Sequence, residues 1–185
     1  MDIFIIAQIF GLLGALSMLL SSWQKTRKRV LALITLDSIL YFVQYLLLGA
    51  LSGALSNIIG IIRTTIFMNK EKYKILQKDT ILYLIITLYI IIGIFSYDGI
   101  ISTFPVIVSI LYSVVLWQDN VKTIRIGSSI MILSWLIYNI SVGAYVGAII
   151  ETILFISSLL AVVKIDILKK QMINTGKQID KKLKQ

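Results

Sequence analysis

The chain has no cysteine, no histidine and a single proline, and its 9 acidic residues are half as many as its 18 basic ones. Without cysteine there are no disulfides or thiol nucleophiles, and without histidine there is no imidazole acid–base chemistry. A Gly-x-x-x-x-Gly-Lys loop is missing as well, so nothing cradles a nucleotide phosphate. Glu151 has no second carboxylate near it in sequence for acid–base division of labour. No enzyme, cofactor or metal site is expected. What fills the chain instead is apolar: 58% of its 185 residues are hydrophobic, only 15% are charged, and the mean hydropathy is +0.91. One water-soluble core of this size cannot hide so much apolar surface, and a lipid bilayer is the expected solvent and first partner. The net charge of +9 gathers in a few clusters between apolar runs, as topology signals do, and no nucleic-acid partner is expected.

Seven apolar segments predict an all-α polytopic membrane protein: Ile3–Ser22, Val30–Leu48, Ser52–Met68, Thr80–Phe95, Gly99–Trp117, Ile124–Ser141 and Ala144–Val163. Most approach the roughly 20 helical residues that cross a core about 30 Å thick. Cations follow the odd-numbered segments: Lys25, Arg27, Lys28 and Arg29, then Lys70, Lys72 and Lys74, then Lys122 and Arg125, then Lys169 and Lys170. The connections at Gly49–Leu51, Tyr97-Asp98 and Val142-Gly143 carry none. The positive-inside rule then predicts an outer amino terminus and a cytoplasmic carboxyl terminus. Met1-Asp2 supplies no positive region ahead of the first run, so a spanning helix is expected there rather than a signal peptide. The tail from Leu168 to Gln185 is expected to be a basic cytoplasmic helix or arm attracted to anionic lipid.

The chain contains itself twice. Trp23-Gln24 recurs as Trp117-Gln118, and Gly49-Ala50-x-x-Gly53-Ala54 recurs as Gly143-Ala144-x-x-Gly147-Ala148, both at a shift of 94 residues. The shift carries segment one onto five, two onto six and three onto seven, and leaves the fourth unpaired. A 3+1+3 arrangement of two parallel three-helix bundles is predicted: residues 1–69, a linker 70–98 with the fourth helix, residues 99–165, and a basic tail 166–185. In this plan the chain resembles the superfamily of SWEET, PQ-loop and PnuC-type transporters. More closely, Gly49, Ser56 and Ile62-Arg63-Thr64, followed by Trp135-x-Ile137-x-Asn139-x-x-x-Gly143-x-x-x-Gly147-x-x-x-Glu151, resemble the YgjV-type family of bacterial inner-membrane proteins. That resemblance implies a multi-pass protein of the bacterial cytoplasmic membrane.

Ionisable groups inside a bilayer are costly enough to be functional candidates. Glu151 lies seven residues inside the last segment, about 10 Å deep at 1.5 Å per residue, and is read as lining a polar cavity. Asp37 and Arg63 sit at matching depth on successive antiparallel helices, which suggests a structural ion pair, although Arg63 could also snorkel. Subtracting 94 from Glu151 gives Asn57, and from Trp135 gives Tyr41; 151−135 and 57−41 are both 16. The spacing is similar to the aromatic and asparagine pairs that line the pocket of SWEET-type bundles. With a carboxylate in place of one asparagine, a cationic or heterocyclic solute is favoured over a neutral sugar. Packing or lipid-facing aromatics remain the alternative. Asn139 and Tyr138 answer to Tyr45 and Gln44, and Asp37, Tyr41 and Gln44 form one helical stripe that reads either as a solute path or as interhelical hydrogen bonding.

Pro105 and its equivalent Gly11 are expected hinges, since the resembled superfamily bends the first helix of each triplet at a proline; the alternative is Thr103 capping a helix with Pro105 in its first turn. The glycines at 49, 53, 143 and 147 read as packing and turn residues. The function expected is transport of a small polar solute by rocking of the two bundles, as a facilitator or coupled to protons. A non-transporting membrane receptor or scaffold is the alternative, and a homo-oligomer is left open.

Overall fold

The computed structural model describes residues 2–48, 51–97, 100–141 and 145–168, with the side chains of 51–53, 101–102, 104–105, 138–139, 141, 145–148 and 166–168 outside that description. Among the described residues seven α-helices follow one another: α1 (Ile3–Ser22), α2 (Arg27–Leu47), α3 (Leu51–Met68), α4 (Asp79–Phe95), α5 (Ile100–Trp117), α6 (Val121–Ser141) and α7 (Tyr145–Ala161). A short 3-10 turn, Lys74–Gln77, precedes α4, and a π-helix, Val162–Leu168, extends α7. No strand occurs among the described residues. The helices α1 and α2 are long and apolar enough by themselves to cross a membrane. The other five run from 17 to 21 residues, about 25 to 32 Å.

Exposure runs opposite to that of a water-soluble protein. Large apolar side chains point outward along α1 (Phe4, Leu12, Leu16, Leu20) and α4 (Leu84, Ile91, Ile94), while Ser17, Ser38, Arg63, Thr64, Ser113, Ser128, Ser129 and Ser158 are buried. Lipid can cover the first set at no cost, whereas polar groups must find partners inside the protein.

The helix α2 packs against both α1 and α3, and α6 packs against both α5 and α7. The helix α4 touches α3 and α5, α1 also touches α7, and α3 touches α5. The hydroxyl bonds repeat with the sequence. Thr35 Oγ1 donates to Thr64 Oγ1 at 2.8 Å between α2 and α3, and Ser129 and Ser158 bond to each other between α6 and α7. Adding 94 to 35 and 64 gives 129 and 158.

Packing differs between the two ends of the helices. Every buried residue of α2 lies in its first twelve positions, from Arg27 to Ser38, and Tyr41, Gln44 and Tyr45 beyond them are only half-buried. The same holds where α6 and α7 are described: Ile124, Arg125, Ser128, Ser129, Met131 and Ile132 are buried, as are Leu154, Ser158 and Ala161, but Trp135 and Glu151 are half-buried. The tight end is the one that carries the α1–α2 and α5–α6 connections.

Candidate functional site

Along α2 the polar stripe turns toward α1, where two glycines make room for it. A Cβ built on Gly11 would lie 2.4 Å from Gln44 Nε2, and one on Gly14 would lie 2.9 Å from the Tyr41 ring. Tyr41 also stacks on Tyr45, with ring centroids 6.1 Å apart. The helix α1 runs unbroken through Gly11, which here is the seat of a side chain. Pro105 is the sixth residue of α5, past its first turn, and Thr103 does not cap the helix; its hydroxyl bonds back to the Ile100 carbonyl at 2.6 Å.

Arg63 is buried, with 4% of its surface exposed. Its Nη1 donates to the Ser113 hydroxyl at 3.3 Å and the Ser109 carbonyl at 3.5 Å, and its guanidinium lies 5.1 Å from the Tyr112 ring centroid and 5.8 Å from that of Tyr89. Its Nε has no hydrogen-bond partner among the described residues. The ion pair expected with Asp37 is not made by contact, since the ion pairs among the described residues join Asp119 to Arg27 and Lys70. Asp37 nevertheless lies within Coulombic range of both Arg63 and Glu151. Tyr41 feels Asp37 and Glu151, and Tyr112 feels Arg63, Asp37 and Glu151. Side chains of α2, α3, α5 and α7 thus lie within Coulombic range of one another.

Asn57 and Glu151 are each the seventh residue of their helices, α3 and α7, and both are half-buried, as is Trp135 on α6. The side chains of Tyr138 and Asn139 lie outside the described residues, as do Gly49, Asp98, Gly143 and the tail beyond Leu168.

A second constellation, at the tight end, went unread because its members passed as topology signals. Arg27 donates through Nε to the Gln118 carbonyl at 2.8 Å, through Nη2 to that of Leu116 at 3.1 Å, and through Nη1 to that of Phe67 at 2.7 Å. Arg125 donates through Nε to the Ser22 carbonyl at 2.8 Å and through Nη2 to that of Gln24. Gln118 and Leu116 are Gln24 and Ser22 shifted by 94. Arg27 therefore caps the carboxyl end of α5 and Arg125 that of α1, where orphan carbonyls and the negative end of the helix dipole attract a cation. Lys70 Nζ stands 4.1 Å from the Trp117 ring centroid and Lys164 Nζ 5.9 Å from that of Trp23, and 70+94 is 164. Counting lysines and hydroxyls at the repeat shift, and not only Trp-Gln and the glycines, would have found these pairs.

The model of a family of bacterial inner membrane proteins, Imp-YgjV, matches residues 5–169. The chain belongs to that family. Membership in Imp-YgjV places it in a bacterial inner membrane and accounts for lipid as the surface its apolar helices face. No curated protein and no solved structure matches this Imp-YgjV chain.

Proposed function

We propose that this chain is a membrane transporter, a facilitator or proton-coupled, for a small polar solute, with cationic and heterocyclic solutes favoured. Two parallel three-helix bundles, α1–α3 and α5–α7, are joined through α4 and rock about a shared axis, the plan of the SWEET, PQ-loop and PnuC superfamily. The contacts repeated at a shift of 94 support this arrangement. So does the Tyr112 hydroxyl, 3.9 Å from Met18 Sδ: the two residues are themselves 94 apart, and equivalent residues meet only beside the axis that relates them. The tight, basic end faces the cytoplasm and the amino terminus faces out, as the cation clusters favour.

The observation that carries the transport reading is that Asp37 and Glu151, one from each bundle, lie within Coulombic range of each other and of Tyr41. The two carboxyl groups outnumber the one cation nearby, Arg63, and the tyrosine faces offer the quadrupole that attracts organic cations. The half-buried state of Tyr41, Gln44, Tyr45, Trp135 and Glu151 supports access from the outer end.

The test is a thermal-shift screen of purified protein against small organic cations and nitrogen heterocycles. A ligand at 100 times its Kd should stabilise the fold by about 2.7 kcal/mol. Glu151→Gln and Asp37→Asn should each erase the shift while leaving a folded, monodisperse protein. A panel without a stabilising member, or a shift unchanged in both variants, would overturn the reading.

A further inference from the structure

Each triplet reaches across to the other at the tight end in the same way. Arg27 and Arg125 each hold two carbonyls at the end of the opposite triplet's first helix, and Lys70 and Lys164 each lie over the tryptophan one turn or less away from those carbonyls. The two arginines are themselves buried, at 6% and 4% exposure, although both lie in the first or second turn of a helix. The helix dipole is unfavourable to a cation there, so the carbonyls of another helix must hold them in place.

The symmetry is not exact: 27+94 is 121, so Arg125 stands one helical turn beyond the position equivalent to Arg27, and a second difference has a chemical cause. Trp23 Nε1 donates to Ser157 Oγ at 3.0 Å on α7. The residue equivalent to Ser157 is Arg63, which has no acceptor to offer, and Trp117 Nε1 donates instead to Asp79 Oδ1 at 3.2 Å. Asp79 is the first residue of α4. The linker helix is thereby tied to the same end of α5 that Arg27 and Lys70 hold.

We propose that this reciprocal arginine clamp is the gate at the basic end: the state described here is closed there, and opening requires Arg27 and Arg125 to leave the four carbonyls of the opposite triplet. The proposal rests on the rocking of two bundles. A pair of bundles turning about an axis between α1 and α5 must part at this end, and the arginines are the groups that cross the parting line. The lysines and the Trp23–Ser157 bond cross it too, so the gate is a ring of contacts rather than one bond. The helix α4 swings with the ring through Asp79.

The experiment needs no substrate. Lys28 and Lys122 are exposed, lie on the first turns of α2 and α6, and are equivalent at the repeat shift, since 28+94 is 122. The chain has no native cysteine, so Lys28→Cys with Lys122→Cys places two spin labels and no others. Pulsed dipolar distance measurement in lipid nanodiscs should give one narrow, short distance in the otherwise unaltered chain. Arg27→Gln with Arg125→Gln should add a longer population, and each single variant a smaller one. An unchanged distribution in a monodisperse, helical double variant overturns the gate. Should the double variant aggregate, Arg27→Lys carries the same readout, because lysine keeps the charge but cannot hold two carbonyls at once; an unchanged distance there is equally decisive. A chain that opens on loss of the clamp, yet is stabilised by no solute, would sink the solute reading and leave the gate standing.

Discussion

Arg63 shows how a buried guanidinium is accommodated in a membrane. Its depth could be counted along the sequence, and depth put it level with Asp37. Which way it faces could not be counted, because that depends on how α3 rolls against α4 and α5. In the structure it turns to Ser109, Ser113 and the rings of Tyr89 and Tyr112, and meets Asp37 only through the field. A planar, delocalised cation gains from aromatic faces where a carboxylate contact is not made. A through-space coupling in a poorly screening interior should still be measurable. Asp37→Asn and Arg63→Gln should each lower stability in detergent, with Arg63→Gln the costlier because it also loses two rings and a hydroxyl. The double variant should lose less than the sum, by about 0.5 kcal/mol or more, the range of coupled neighbours. Strict additivity in the double-mutant cycle would show that the two charges ignore each other.

Helix positions were legible from apolar runs, and the first helix agrees at both ends. The second and sixth begin three residues ahead of their apolar runs, at Arg27 and Val121. Hydropathy stops where charge begins, but the backbone does not: Arg27, in the added first turn of α2, reaches across to α5, whereas Arg125 reaches α1 from inside the sixth apolar run. Side-chain hydroxyls were legible only as composition. Their pairing follows the repeat, and one hydroxyl of each pair also serves its own helix: Thr64 Oγ1, which accepts from Thr35, donates to the Gly60 carbonyl at 2.8 Å, and Ser129 Oγ donates to that of Arg125 at 3.0 Å. Hydrogen bonds between membrane helices contribute about 0.6 kcal/mol on average. Thr64→Val and Ser158→Ala should therefore cost similar, small amounts in an unfolding titration, each near that figure, and their losses should add because the sites lie in different triplets. A loss of several kcal/mol at one site alone would mean that the two pairs are not equivalent.

At the scale of the whole molecule, the repeat was legible from a dipeptide and a glycine pattern, whereas the contacts that join its copies were not. Trp23 and Trp117 marked the shift, but a sequence does not say that each tryptophan lies under a lysine of the other copy. The asymmetry between the ends was hidden for the same reason, since burial is a property of the assembled helices. Orientation remains a matter of charge. Lys25 to Arg29, the connection from Asn69 to Lys78 and that from Gln118 to Asn120 lie at the tight end, and the exposed Tyr97 follows α4 at the other. Cations resist transfer across an energised inner membrane, and short basic loops stay in the cytoplasm. A cysteine in place of Tyr97 should therefore react with an impermeant maleimide in intact cells, while Lys28→Cys and Lys72→Cys should react only after the membrane is opened. The result also bears on which compartment the half-buried faces of Tyr41, Gln44 and Trp135 look toward, because they share an end with Tyr97. Labelling of Lys28→Cys from outside, with Tyr97→Cys protected, would invert the molecule. The clamp would then close the periplasmic side, and the wider end would open to the cytoplasm.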